Sequence, residues 1–419
     1  MKITKTKLQI IFLYLLAYIA LFWGHKIFIV PVFGYTGFTW SPNLMKIIEG
    51  FVIIFIFSLI LPSQFKKVSD ILLHIQFLFP ILPMLVLYGA QNQPRGYTYV
   101  TLFCFFIIYL IAEKFRIKAV RFGCSLSPVL YQRMLLFSGW TVIGTIILLG
   151  GMRYFNLNIW KVYEFRSIAS RNLPHIVGYL SVWSAKAFFP FAFLISVFHK
   201  KIVPSGLAIV GSIMIFGLTS HKGPLFYPWV VLGLFYILNR QKIIQSLLLS
   251  YFGIITTSVM LYAYAGHIIF GMLFLRRPFF VPAILNYLHY DFFRNHMFSY
   301  WADSKITFGI LDKNYSLQIP YLIGNFYYGH VEWAANTGWI GSGYANAGFL
   351  GMILCSIMLG LLLAILNAYG RIIDKKIVSA IIMSPAFAIF MSSDIFTALL
   401  SHGILISLVL FALTPSYRG

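Results

Sequence analysis

The sequence predicts an all-α polytopic membrane protein with about twelve transmembrane helices and one large late loop, 266–346, between spans nine and ten. Three observations carry this. A mean hydropathy of +0.85 with 18% aromatic residues lies outside the range of soluble domains. Apolar runs of span length recur along all 419 residues, and a helix is the one open-ended structure that satisfies its own backbone in lipid. Alternating ten-residue strands between turns are absent, which argues against an outer-membrane barrel. No internal repeat or low-complexity tract interrupts the chain, so 1–419 reads as a single integral membrane domain.

Span one, 8–22, follows Lys2, Lys5 and Lys7, which sets the N-terminus in the cytoplasm. No small-residue cleavage site follows it, so it is expected to be a retained anchor. A semi-polar outside loop carries Pro31 and Gly34 as turn signals. Spans two (45–61) and three (71–89) flank Lys66-Lys67, and span four (100–112) follows the outside loop 91–97. The segment 113–133 is strongly basic and belongs inside. Span five covers 134–151, and a second outside loop, 152–175, carries Arg153, Lys161, Arg166 and Arg171. Span six ends at His199-Lys200-Lys201, and spans seven (202–218) and eight (225–238) form a hairpin around Ser220-His221-Lys222-Gly223-Pro224. Span nine (243–264) leads into the large loop. Span ten (347–369) precedes Arg371, Lys375 and Lys376, spans eleven and twelve join near Asp394, and the chain ends inside at Arg418.

A formal charge of +22 raises nucleic acid as a partner. The basic residues are instead spread over short loops, where anionic lipid and the positive-inside rule account for most of them. Inside segments hold eighteen of the 32 Lys and Arg, leaving fourteen outside or embedded. The outside excess is informative because topology disfavours it. Arg153, Arg166, Arg171, Arg276, Arg277 and Arg294 fall there. Singly, each suits a lipid headgroup. As a set, two basic clusters on two loops make a clamp for a pyrophosphate, because the guanidinium fork matches phosphate oxygens in pairs. Lys186 within span six and Lys222 in the hairpin are further candidates, since an ionisable group at depth carries a default expectation of function.

Within the large loop, Tyr287, Tyr290, Arg294, Phe298 and Trp301 recur at steps of three and four and share one helical face. The plain reading is an interfacial helix. The functional reading stacks sugar rings on Tyr287, Tyr290 or Trp301, with Asp291 or His296 in proton transfer. His289 and His296 are seven apart, which does not match a zinc-binding His-Glu-x-x-His helix. Cys104, Cys124 and Cys355 show no paired spacing, so neither a disulfide framework nor a metal site is expected. Glycines 338, 341, 343 and 348 lead into span ten, where free N–H groups favour an anion; the alternative is tight re-entry into the membrane.

Many spans, two arginine-bearing outside loops, the Ser220-His221-Lys222-Gly223-Pro224 hairpin and the 336–348 approach (Asn-Thr-Gly-Trp-Ile-Gly-Ser-Gly-Tyr-Ala-Asn-Ala-Gly) resemble the O-antigen polymerases of the Wzy type. The resemblance implies a GT-C-like fold in the bacterial inner membrane with its active site on the periplasmic face. It implies transfer of a growing glycan from undecaprenyl pyrophosphate to the non-reducing end of a new undecaprenyl-pyrophosphate-linked repeat unit. Membrane lipid and a chain-length regulator protein are the further partners it implies, with no nucleic acid, cofactor or metal. On that chemistry Arg166, Arg171, Arg277 and Lys222 are expected to hold pyrophosphate, and Asp291, His296, His330 and Glu332 are the candidate bases. An O-antigen ligase shares donor and fold. A lipid-linked oligosaccharide flippase would instead show internal repeats, short loops and several deep charges.

Overall fold

A computed structural model describes residues 4–122, 126–162, 164, 165, 168, 172–307 and 309–415. Among the described residues every regular element is helical. In chain order they are α1 (Lys5–Thr36), α2 (Leu44–Ile60), α3 (Val68–Ala90), α4 (Arg95–Lys114), α5 (Pro128–Leu148), α6 (His175–Phe198), α7 (Ile202–Thr219), α8 (Gly223–Ile237) and α9 (Ile243–Ala265). There follow α10 (Ile268–Phe293), α11 (Ile319–Tyr328), α12 (Trp339–Ile372), α13 (Lys375–Met391), α14 (Ile395–Ser401) and α15 (Ile404–Leu413). Eight of these, α1, α3, α4, α6, α7, α9, α10 and α12, are long and apolar enough to cross a membrane, and the bent pair α14–α15 makes a ninth candidate. The molecule is a polytopic α-helical membrane protein.

Four of the helices contain a π turn: His25–Ile29 in α1, Phe77–Ile81 in α3, Ser184–Phe188 in α6 and Met272–Phe280 in α10. Proline explains all four. Pro80 and Pro278 lie inside their turns, and Pro31 and Pro190 follow theirs by two residues. Proline donates no N–H and its ring crowds the carbonyl four residues back, so the helix widens there instead of breaking.

The chain forms two compact units: 1–115 with 241–364 and 387–395, and 116–240 with 365–386 and 396–419. In the first unit α1 lies along α9, where Gly24 admits Ile255, Val259 and Leu275. The polar start of α3 is satisfied internally. Asp70 accepts the backbone N–H groups of Lys66 and Lys67 at 2.6 and 2.7 Å. His74 meets the Tyr14 hydroxyl through Nδ1 at 2.6 Å and the Pro62 carbonyl through Nε2 at 2.8 Å. The Ser41 N–H donates to the Ala90 carbonyl and the Asn43 N–H to Gly89, both at 2.9 Å. The last two bonds, with Gln91 Nε2 donating to the Gly37 carbonyl at 3.1 Å, gather the end of α1, the start of α2 and the end of α3, with the start of α4 five residues on, at one end of the unit.

Two stretches differ from the sequence expectation. The first span does not stop at residue 22. Its helix runs on to Thr36, because Ile27 to Val30 stay apolar and the polar pair His25-Lys26 is absorbed by the π turn. The region expected as a loop from residue 266 opens as helix α10, with α11 behind it. Helix α10 starts where Gly271 packs directly on the Phe28 ring. At Phe279 it meets Phe79 (5.2 Å between ring centroids) and Tyr251 (4.6 Å), which lie in the middles of α3 and α9. By Tyr287 it has returned to Thr98, 2.9 Å away near the start of α4. Both ends of α10 therefore lie against the same end of the unit, and the proline-bearing π turn is the bend of a re-entrant path.

The glycine-rich approach to span ten is a second bend. Trp339–Asn346 forms a short helical piece, and Ala347 (φ −152°, ψ 33°) and Gly348 (φ 60°, ψ −145°) turn it into the long remainder of α12. Only glycine adopts the latter conformation cheaply. The bend is clamped from outside: Asn346 Oδ1 accepts the Trp301 N–H at 2.8 Å, and the Ser299 and Tyr300 N–H groups donate to Ala345 and Asn346 carbonyls at 3.0 Å.

In the second unit α5, α6 and α7 close on Phe189, whose ring fills the space left by Gly139 and Gly211. Gln132 Nε2 donates to Ser196 Oγ at 2.6 Å, and Tyr131 donates to the Leu410 carbonyl at 2.9 Å. Helices α14 and α15 meet at 54° across His402 and Gly403.

Candidate functional site

The π turns matter because three of the four carry basic residues: His25 and Lys26, Lys186, and Arg276 with Arg277. Widened turns free backbone groups and redirect side chains, and they recur at functional sites. Two of the three fall in the first unit, on neighbouring helices.

Arg276 lies with its guanidinium over the Phe33 ring, 4.5 Å from the centroid, and reaches Thr36 Oγ1 at 3.5 Å. Its Nε is buried and finds no hydrogen-bond acceptor among the described residues. Tyr328 donates to the Thr36 carbonyl at 3.5 Å and closes the same corner from α11. Arg277, the next residue, is exposed. No carboxylate pairs with either arginine among the described residues. Lys26 stands over the Trp23 and Trp40 rings at 5.1 and 5.4 Å. His25 is buried among Trp40, Phe38 and Phe280, with neither ring nitrogen bonded among the described residues. The result is an aromatic-walled, positively charged corner at the gathered end of the unit. Two directed guanidinium donors without a counter-ion among the described residues suit a phosphate-bearing ligand, and the exposed Trp23 beside the half-buried Trp40 suits a sugar ring.

The acidic and aromatic candidates form a separate group farther along α10. Asp291 accepts the Tyr327 hydroxyl at 2.7 Å and pairs with Arg294 at 3.3 Å, on an exposed surface. Burial, and then the Asp291 carboxylate, push the Tyr327 phenol well above its ordinary value, so it remains a donor. His296 stacks on Phe292 (4.0 Å, 5°) with Nδ1 at 2.7 Å from the Phe292 carbonyl. Tyr290 stacks on Tyr97 at 4.5 Å. Tyr287 is buried, and its hydroxyl contacts Thr98 Oγ1 and donates to the Met84 carbonyl at 3.1 Å, so protein occupies it fully. Trp301 is half-buried at φ +58°, next to the clamp on α12. His330 stacks on Trp333 at 4.3 Å, and Glu332 is exposed on the same turn.

Asp291 and Arg277 are fourteen residues apart, about 20 Å of helix. They belong to two groups, not one. Lys222 begins α8 in the second unit. Arg166 and Arg171 lie outside the described residues. At the glycine approach the Gly341 N–H is already taken, since Asn286 Oδ1 accepts it at 2.8 Å together with the Thr337 hydroxyl at 2.7 Å. Gly338 is needed for packing, since a Cβ there would strike the carbonyl oxygens of Ile389 and Phe390.

Sequence reasoning favoured Arg277 for the phosphate role, whereas Arg276 has the built surroundings. The Arg-Arg-Pro triplet signalled the region but not which arginine turns inward. Lys26, Thr36, Trp40 and Tyr328 carry no motif and emerge only once α1 is seen to continue past residue 22. No family model, curated protein or solved structure matches the chain.

Proposed function

We propose that the protein is an oligosaccharide repeat-unit polymerase of the O-antigen type. It transfers the growing glycan from undecaprenyl pyrophosphate to the non-reducing end of a new lipid-linked repeat unit. On this reading twelve spans cross the bacterial inner membrane in a GT-C-like arrangement, both termini are cytoplasmic, and the gathered end of the first unit faces the periplasm. The observation that supports it best is Arg276 beside Arg277: two guanidinium groups without carboxylate partners among the described residues, with Arg276 set on Phe33 and Thr36 and Tyr328 closing on Thr36, on a re-entrant bend among apolar helices. A donor with a polyprenyl tail, a pyrophosphate and sugars needs those three environments together.

In the reaction an acceptor hydroxyl oxygen bonds to the anomeric carbon as the bond to pyrophosphate oxygen breaks. Negative charge grows on the leaving phosphate, where fixed guanidinium donors stabilise it without reorganising. The acceptor proton passes to a base. Asp291 and Glu332, both exposed, are the acids proposed for that step, with His296 and His330 as the alternatives. Tyr290, Trp301 and the indoles of Trp23 and Trp40 are proposed sugar contacts.

The lipopolysaccharide banding of a deletion strain tests the class. One repeat unit per core supports a polymerase. Complete loss of O-antigen supports a ligase or a flippase, and an unchanged ladder removes the proposal.

A further inference from the structure

The second unit gathers positive charge at one end, and the reading above makes no use of it. Its sequence holds seventeen Lys and Arg against two carboxylates, Glu164 and Asp374. Residues 116–122, between α4 and α5, form no helix and lie as a strap where α12 and α15 end. From the last turn of α12, Tyr369 donates to the Val120 carbonyl at 3.1 Å and Arg371 Nη2 to the Ile117 carbonyl at 2.6 Å. At the end of α15 the Ala412 and Thr414 carbonyls accept the Phe122 N–H and Arg121 Nη2, both at 3.3 Å. Other segments converge there. Lys376 donates to Asn239 Oδ1, next to Arg240. Phe198 and His199, where α6 ends, line one apolar cavity with Ile373, Ile377 and Thr414, which brings Lys200 and Lys201 to the same end. Asp374 is the one carboxylate in the group, and its Oδ1 accepts the Lys376 N–H at 2.8 Å.

Arg116, Lys118, Lys200, Lys201 and Arg240 are exposed, and their side chains make no hydrogen bond or ion pair among the described residues. Like charges gathered in this way repel one another, and a counter-charge from outside the chain relieves the repulsion. Large apolar side chains stand among these cations. Val120 and Phe122 on the strap are 64% and 51% exposed, and Phe198 and Ile202, on either side of Lys200 and Lys201, are 53% and 86% exposed. The boundary of a bilayer offers both environments, anionic headgroups beside acyl chains. The position agrees, because the strap lies against the last turn of α12, a helix long and apolar enough to cross a membrane. We propose that this end of the second unit binds anionic phospholipid headgroups. Phosphate oxygens accept from Arg116, Lys118, Lys200, Lys201 and Arg240, while Val120 and Phe122 sit at the acyl boundary. The site is independent of the polymerase reading.

Trace fluorescent phosphatidylglycerol or phosphatidylcholine is titrated with purified full-length protein in a neutral detergent, and Kd is read from anisotropy. Wild type is expected to bind phosphatidylglycerol the more tightly. Salt at about 1 M, which screens charges beyond about 3 Å, is expected to remove that preference. Loss of one cation beside the headgroups weakens binding about fivefold. Arg116→Gln/Lys118→Gln is therefore expected to raise the phosphatidylglycerol Kd about 25-fold, and Lys200→Gln/Lys201→Gln to do the same. Both double variants should keep the wild-type Tm in phosphatidylcholine nanodiscs, since no side-chain bond within the protein is lost. Arg153→Gln/Lys161→Gln removes the same charge near the other end of α7, where the Asn156 N–H donates to the Gly217 carbonyl at 2.9 Å, and is expected to leave Kd near wild type. No preference for phosphatidylglycerol in wild type, a wild-type Kd in either double variant of the basic end, or an equal rise in the Arg153–Lys161 control would each overturn the proposal, the first leaving an acidic protein surface as the occupant.

Discussion

Two π turns of the first unit share a cause and differ in consequence. The turn Phe77–Ile81 in α3 and the turn Met272–Phe280 in α10 each form around an internal proline. The first is closed by aromatic packing: Phe77 lies 5.4 Å from Phe105 and 5.5 Å from Phe57, and its exposure is zero. The second sets Arg276 against Phe33 and Thr36 and leaves Arg277 exposed, from the same kind of backbone. A widened turn is therefore not itself a site. The distinction lies in whether the redirected side chains find protein partners or are left with donors unmet, as Arg276 Nε is.

Substitutions sharpen that contrast, beginning with the closed turn. Phe77→Ala removes a fully buried ring and is expected to cost about 3–5 kcal/mol, seen as a large drop in Tm with activity per folded molecule unchanged. Comparable stability in the variant would mean the turn is not held by its aromatic packing. Gly338→Ala comes next. Its Cβ has no room beside the Ile389 and Phe390 carbonyls, and a loss of roughly 1–3 kcal/mol is expected in a denaturation midpoint. Asn286→Ala strands the Gly341 N–H and the Thr337 hydroxyl, and about 1–3 kcal/mol of stability should go with them. If inorganic phosphate instead restored the Asn286→Ala midpoint, the start of α12 would be an anion site after all. The smallest effect is expected from Tyr327→Phe, whose bond to the exposed Asp291 contributes no more than about 1 kcal/mol. That variant then isolates Asp291: if Asp291→Asn abolishes polymerisation while Tyr327→Phe leaves it intact, Asp291 acts as the base and not as part of a surface network.

The sequence showed much of this fold because lipid imposes a simple rule: each span must be apolar and helical. It misplaced two boundaries, both where charged residues occur inside continuing helices. His25-Lys26 resembles a span end by composition, yet the indoles of Trp23 and Trp40 cover the lysine and the helix proceeds. Arg276-Arg277-Pro278 resembles a loop, yet the proline bends α10 without ending it. The choice between Arg276 and Arg277 was illegible because it depends on the phase of a π turn, which follows no periodicity in sequence. Tyr287 and Tyr290 share a helix as expected, but it ends at Phe293, so Phe298 and Trp301 do not continue its face. Which of the two tyrosines is buried depends on α4, through Thr98 and Tyr97, and no local pattern encodes that partner.

The central claim is that the open turn binds the donor phosphate through Arg276. The most direct measurement is the polymerisation rate of purified Arg276→Ala and Arg276→Lys proteins on lipid-linked repeat units, with Tm recorded for each. Alanine is expected to lower the rate on the order of 10²–10³-fold, and lysine to recover only part of it because a point charge replaces a fork. Both Tm values should stay near wild type. A full rate from Arg276→Ala at unchanged Tm would contradict the account.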